Sequence, residues 1–129
     1  MQDIQSGLYL VTLNNWEPIS VNAQDPRIAD KAIKVTRANC KFGKAKNLEG
    51  RKKNYFKTFG EHNVNFMPVV KLVEIEAVEK EILRRLEGFR IKGRTGRMNE
   101  WLQHIAPEQV IDIAVGAIRE SGIEFQLLV

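Results

Sequence analysis

The segment from Asn39 to Gly60, NCKFGKAKNLEGRKKNYFKTFG, decides how this chain is read. A short strand is predicted around Asn39 to Lys44, with Gly43 ending it or allowing a close backbone approach. A helix should follow. Asn47 is a suitable N-cap, and Leu48, Arg51, Lys52 and Tyr55 recur at the i, i+3, i+4, i+7 spacing that places them on one side. Gly50 weakens that helix by roughly 1 kcal/mol relative to alanine without excluding it, and the helix should stop near Gly60.

The same segment carries uneven charge. Seven basic residues and one acid lie between Lys41 and Lys57, and a second cluster of six runs from Arg84 to Arg97 with Glu87 as its only acid. The net charge of +4 is modest, but neutralising phosphates and releasing their counterions is the largest sequence-independent term in nucleic-acid binding, so clustering matters more than the total. Charge alone fits a solvated helix face equally well.

Working outward, Leu8 to Leu13 is an apolar, β-prone run between Gly7 and Asn14-Asn15, as expected of a buried strand. Trp16 to Arg37 contains Pro18 and Pro26 and suggests a short helix from Pro26 to Ile33 with Asp25 as its cap. Asn65 to Val73 reads as a third strand, which Pro68 would place at an edge or a bulge. From Glu74 to Phe89 the period changes: Ile75, Val78, Ile82, Leu86 and Phe89 form the stripe of an amphipathic helix ending at Gly88, with Glu79 beside the stripe. Lys92 to Met98, with Gly93 and Gly96, reads as a basic turn or hairpin, and Asn99 to Ile105 as a short helix carrying Trp101. Pro107 opens a helix to about Glu120, whose Val110, Ile111, Ala114, Ala117 and Ile118 face a core, and Ile123 to Val129 reads as a last strand.

A chain of 129 residues can build one core without disulfides, so one domain over residues 1–129 is expected. Cys40 is the only cysteine, which excludes an internal disulfide and a thiolate zinc cluster and leaves it a structural residue in a reducing cytoplasm. No run approaches the roughly 20 apolar residues of a membrane span, and Met1-Gln2-Asp3-Ile4 lacks the features of a signal peptide. The expected setting is the cytoplasm of a bacterial or phage-infected cell, with no membrane partner.

Strand, strand, helix, strand, helix is the element order of the GIY-YIG nuclease superfamily, and four short motifs resemble that family in the same order. Gly7-Leu8-Tyr9 looks like its first motif and Lys41-Phe42-Gly43 like its second, with Lys41 where a tyrosine usually stands, as in a phage and restriction-enzyme branch. Arg51, eight residues after Gly43, is similar to the family's arginine, and Glu79, followed by Ile82 and Leu83, to its metal-binding glutamate. Asn99-Glu100-Trp101-Leu102 is similar to the end of the same branch. The first two motifs lie about thirty residues apart, farther than is usual in the family. The likeness covers Gly7 to Leu102, leaving 103–129 as a C-terminal extension. It implies an α/β (α+β) domain with a central, mainly antiparallel three-stranded sheet flanked by helices.

The resemblance also implies a metal-dependent DNA endonuclease. Tyr9 would accept a proton from the attacking water, with the Lys41 cation favouring its phenolate. Arg51 would hold a non-bridging phosphate oxygen. Glu79 would be the sole protein carboxylate on Mg²⁺ or Mn²⁺. Tyr55 would hydrogen-bond the nucleophile or the phosphate, Asn99 would support Glu79, and His62 would shuttle a proton. Lys44, Lys46, Lys52, Lys53, Lys57, Arg94 and Arg97 would grip double-stranded DNA, and a homodimer is one way to cut both strands. Simpler roles stand beside each of these. Tyr9 would be a core tyrosine with its hydroxyl satisfied, Arg51 a surface cation, and Glu79 a helix acid paired with Arg84 or Lys80, with Glu76 and Glu81 as rivals for the metal. At the level of function the alternatives are a non-catalytic DNA- or RNA-binding module and a small basic structural protein.

Overall fold

The computed structural model describes residues 4–20, 34–92 and 98–129. Strand β1 (Gly7–Leu13) is central, pairing antiparallel with β4 (Cys40–Ala45) on one side and β5 (Val64–Lys71) on the other. Beyond β4 lie β7 (Met98–Leu102) and β6 (Arg90–Lys92), and beyond β5 the two-residue β8 (Gln126–Leu127), giving the order β6-β7-β4-β1-β5-β8. A separate ribbon, β2 (Ile19–Ser20) with β3 (Lys34–Val35), lies between β1 and β4 in sequence. With helices α1 (Leu48–Phe59), α2 (Ile75–Arg85) and α3 (Pro107–Ser121), the described residues form an α+β fold.

The sheet separates two cores. Successive side chains of a strand point to opposite faces, so Tyr9, Val11 and Leu13 pack with Leu48 and Tyr55 of α1, while Leu8 and Leu10 pack with Ile75, Val78 and Ile82 of α2 and Ala114 and Ile118 of α3. Burial of β1 on both faces explains its apolar run from Leu8 to Val11, where a half-exposed strand would alternate. Side chains satisfy free backbone N–H groups at the starts of α1 and α3. Asn47 Oδ1 accepts the Gly50 N–H at 2.9 Å, a cap of the kind that contributes about 1 kcal/mol. At α3, Pro107 occupies the first turn and the Ala106 N–H donates to Gln109 Oε1 at 3.0 Å.

The apolar periodicities place the three helices correctly, and Pro68 marks both features expected of it. The register of β5 against β1 shifts where Leu8 faces Val70 and Tyr9 faces Pro68, and β8 covers only the Val70–Lys71 end of the strand. Three expectations are corrected. The sheet has six strands among the described residues, not three. Asn99 to Ile105 is not helical: the backbone from Met98 to Leu102 is a strand held between β4 and β6, with Trp101 buried in the α1 core and Leu102 in the α2/α3 core. Both of those residues are apolar because both faces are covered, so no alternation signals the strand. Helix α2 stops at Arg85, before Gly88, which lies in a 3₁₀ turn (Glu87–Phe89). The helix expected from Pro26 to Ile33, and the turn at 93–97, fall outside the described residues. No described helix is long and apolar enough to cross a membrane.

Candidate functional site

The two glycine motifs face each other across the first strand pair. Tyr9 stands directly opposite Gly43 in register, and its phenol lies flat over that glycine: a Cβ there would sit 2.6 Å from the Tyr9 hydroxyl and 2.7 Å from the ring. Gly7 is equally constrained, since a Cβ would collide with the Val70 carbonyl and the Leu48 side chain. The glycines are therefore needed for close packing, and the spacing Gly7-Leu8-Tyr9 against Lys41-Phe42-Gly43 follows from strand register.

Tyr9 is only 1% exposed. Its hydroxyl meets the Tyr55 hydroxyl at 3.0 Å, its ring stacks on Phe66 with centroids 4.8 Å apart, and Tyr55 meets it edge-on. Lys41 Nζ lies 5.1 Å from the Tyr55 ring centroid and 3.6 Å from Glu100 Oε2. Burial raises the Tyr9 phenol above its ordinary range, Tyr55 adds to this, and Lys41 and Arg51 counter only part of it. Burial likewise pushes Tyr55 up to about 12, against its hydrogen bond from Tyr9. The expected Lys41 effect therefore exists but is outweighed, and both phenols are protonated at neutral pH.

Glu79 lies on the other face of the sheet. It is 6% exposed and is the one buried charged side chain among the described residues. Burial raises its carboxyl above the usual value, and the Lys44 ammonium, 3.2 Å from Oε1, opposes that shift. Lys44 also hydrogen-bonds Glu76, one turn earlier on α2. The Tyr9–Tyr55 pair and Glu79 are thus not a single contact cluster. Glu100 connects them electrostatically, since its carboxylate raises both Tyr55 and Glu79.

Arg51 and Glu79 nevertheless line adjoining grooves. A groove of about 480 Å³ is walled by Lys44, Lys46, Gly50, Arg51, Asn54 and Glu76. A second, of about 600 Å³, is walled by Lys44, Glu76, Glu79, Leu83, Arg84 and Arg90. Lys44 and Glu76 belong to both, so Arg51 lines one groove and Glu79 the adjoining one.

The other predicted residues divide sharply. Lys46, Arg51, Lys53 and Lys57 are exposed and have no ion-pair partner among the described residues, while Lys52 lies over the Phe56 ring at 5.5 Å. Lys44 is neutralised by Glu76 and Glu79. His62 is exposed in the turn after α1, beyond the Leu13 end of β1, and five strand residues from Tyr9 correspond to about 16 Å, so it is not brought to the others. The side chains of Arg94, Arg97 and Asn99 lie outside the described residues. Glu100 and the Lys44–Glu76 clamp were missed by sequence. Glu100 carried no signal within an expected helix, and Lys44 had nothing to distinguish it from neighbouring lysines.

No group of three or more His, Cys, Asp and Glu among the described residues is arranged to hold a metal. A hard divalent ion that keeps most of its waters does not require one. Glu79 and Glu76 offer oxygen donors, but the Lys44 ammonium fills the position between them, so a divalent ion there would have to displace it. Compared with protein-family models, curated proteins and solved structures, the chain gives no match.

Proposed function

We propose that this protein is a metal-dependent endonuclease acting on DNA phosphodiesters. The observation that carries the proposal is the pair of adjoining grooves sharing Lys44 and Glu76, one lined by the exposed Arg51 and the other by the buried Glu79, from different helices. Hydrolysis of a phosphodiester needs a positioned water, offset of the added negative charge, and help for the departing oxygen. Arg51, planar and permanently charged, binds a non-bridging oxygen of the phosphate. Glu79, with Glu76 beside it, would hold Mg²⁺ or Mn²⁺, which when bound supplies charge neutralisation at the phosphate and the leaving oxygen. The Tyr9 and Tyr55 hydroxyls, buried against each other and lining neither of these grooves, tie β1 to α1 rather than acting as phenolates.

The burial of Tyr9 favours a second possibility, a nucleic-acid-binding module with the same surface and no catalysis. Supercoiled plasmid incubated with the protein and Mg²⁺ separates the two: nicking that stops with chelator and is absent from Glu79→Ala supports the enzyme. Tight DNA binding without nicking under Mg²⁺ or Mn²⁺ assigns the module.

A further inference from the structure

The described residues between the two glycine motifs line neither groove, yet they present the most exposed large apolar side chain among the described residues. Trp16 is 77% exposed, and the Arg37 guanidinium lies over its ring, 3.9 Å from the centroid. The backbone beneath the pair is firmly held. Arg37 N–H donates to the Asn15 carbonyl at 2.9 Å, and Asn15 Nδ2 donates to the carbonyls of Glu17 at 2.7 Å and Val35 at 3.1 Å. Asn63 Nδ2 donates to Asn15 Oδ1 at 3.1 Å, tying the segment to the end of β5.

We propose that Trp16 and Arg37 form a stacking platform for an unpaired base of a nucleic-acid substrate, an inference that rests on the nucleic-acid reading of the grooves. An indole fixed by hydrogen bonds beneath it, with a cation on one face and solvent on the other, loses little freedom when a flat π-system settles on it. Every base offers such a face, and base–aromatic stacking is the main sequence-tolerant contact to single strands. Arg37 adds a positive charge for the phosphate on either side. A partner protein would be expected to meet a wider apolar surface, whereas this indole carries the Arg37 guanidinium over its ring. Helix α1 bridges the platform and the grooves. It has 12 residues, about 18 Å at 1.5 Å per residue, and its exposed Lys53 and Lys57 share one side of it, one turn apart. The helix length corresponds to roughly five nucleotides of one strand, so the expected substrate has an unpaired stretch, end or flap a few nucleotides from the phosphate that is cut.

The test uses intrinsic fluorescence in the full chain carrying Glu79→Gln, to prevent cleavage, and Trp101→Phe, which leaves Trp16 as the single indole. Oligothymidylate, and a duplex with a single-stranded overhang, should quench and shift Trp16 emission, and a blunt duplex of equal length should do so much less. Trp16→Ala should weaken binding to the overhang substrate by about tenfold and Arg37→Lys by less, with the blunt duplex little affected. If Trp101→Phe does not fold, protection of the wild-type exposed indole from acrylamide gives the same readout, because Trp101 is only 3% exposed. Binding of all these DNAs with unchanged Trp16 emission and unchanged Trp16→Ala affinity overturns the platform and leaves the groove proposal standing. Equal quenching by blunt duplex also overturns it, making Trp16 a bystander near a duplex. Absence of binding to any DNA removes both.

Discussion

The two basic clusters have nearly the same charge density in sequence, but the described cations of their helices are partnered differently in the fold. On α1, Arg51, Lys53 and Lys57 are open to solvent without acidic partners among the described residues, and Lys46 joins Arg51 in lining its groove. At the end of α2, Arg84 is bound twice by Glu81, at 2.6 and 3.0 Å, and Arg85 is divided between Glu81 at 3.1 Å and Glu120 of α3. The difference arises from acids that the stretch from Arg84 to Arg97 does not contain. Glu81 precedes the cluster by one helical turn and Glu120 arrives from another helix. A run of cations is therefore a candidate phosphate surface only after its acids have been located in space. The expectation that both clusters grip a duplex holds as a proposal for the first and is unsupported for Arg84 and Arg85.

The largest contrast is expected in catalysis. Arg51→Ala should lower turnover on plasmid DNA by about 10²–10³-fold with a much smaller change in affinity, whereas Arg84→Ala should leave both near wild type. Equal reductions in turnover and affinity for Arg51→Ala would make that residue one more ground-state contact. The next contrast is in salt dependence. Replacing Lys46, Lys53 and Lys57 with alanine should reduce the slope of log K against log salt by about 0.9 for each phosphate that is no longer neutralised. The double variant Arg84→Ala/Arg85→Ala should leave the slope unchanged, and a comparable fall there would abolish the distinction between the clusters.

A third experiment tries to convert one cluster into the other. Glu81→Gln with Glu120→Gln removes the acids that hold Arg84 and Arg85, and DNA affinity and its salt slope should rise as these guanidinium groups become available. No change would mean that geometry, rather than neutralisation, keeps them from DNA. The smallest effect concerns pH. Hydrogen bonds from Arg84 and Arg85 hold the Glu81 carboxyl at about 2, below its usual 4.5. A depressed carboxylate stabilises the fold above its unfolded value, so this contribution is complete above about pH 4.5 and disappears as the pH falls toward 2. The effect should be modest, because the pair is exposed and screened by salt. Comparing acid unfolding of wild type and Arg84→Ala/Arg85→Ala in low salt should show a narrower gap at about pH 2.5 than at about pH 6, and a gap constant with pH would contradict the assignment.

Much of the fold is written locally. The stripe Ile75, Val78, Ile82, the cap at Asn47, and Pro107 followed by Val110, Ala114 and Ile118 each specify a helix through neighbours three or four residues away, and the structure agrees in each case. The apolar run of β1 and the consequence of Pro68 were legible for the same reason. The glycine at 7 was legible only as a motif letter, and that at 43 as a strand end or a close backbone approach. Their cause, the phenol of Tyr9 lying over Gly43 and the backbone of Val70 against Gly7, involves residues brought together by strand pairing.

Sequence alone therefore determined the three helices and the buried central strand, because periodicity, capping and proline placement act over a single turn or a few residues. The tertiary structure decided what those segments do for one another. It turned Met98 to Leu102 from an expected helix into a strand, because pairing with β4 and β6 outweighs a weak local preference. It also put Tyr9 and Glu79 on opposite faces of the sheet, clamped Lys44 between two glutamates, and left Arg51 open while closing Arg84. Charge, burial and access at a site depend on distances between residues far apart in the chain, and Coulomb attraction and desolvation act over those distances without regard to sequence order.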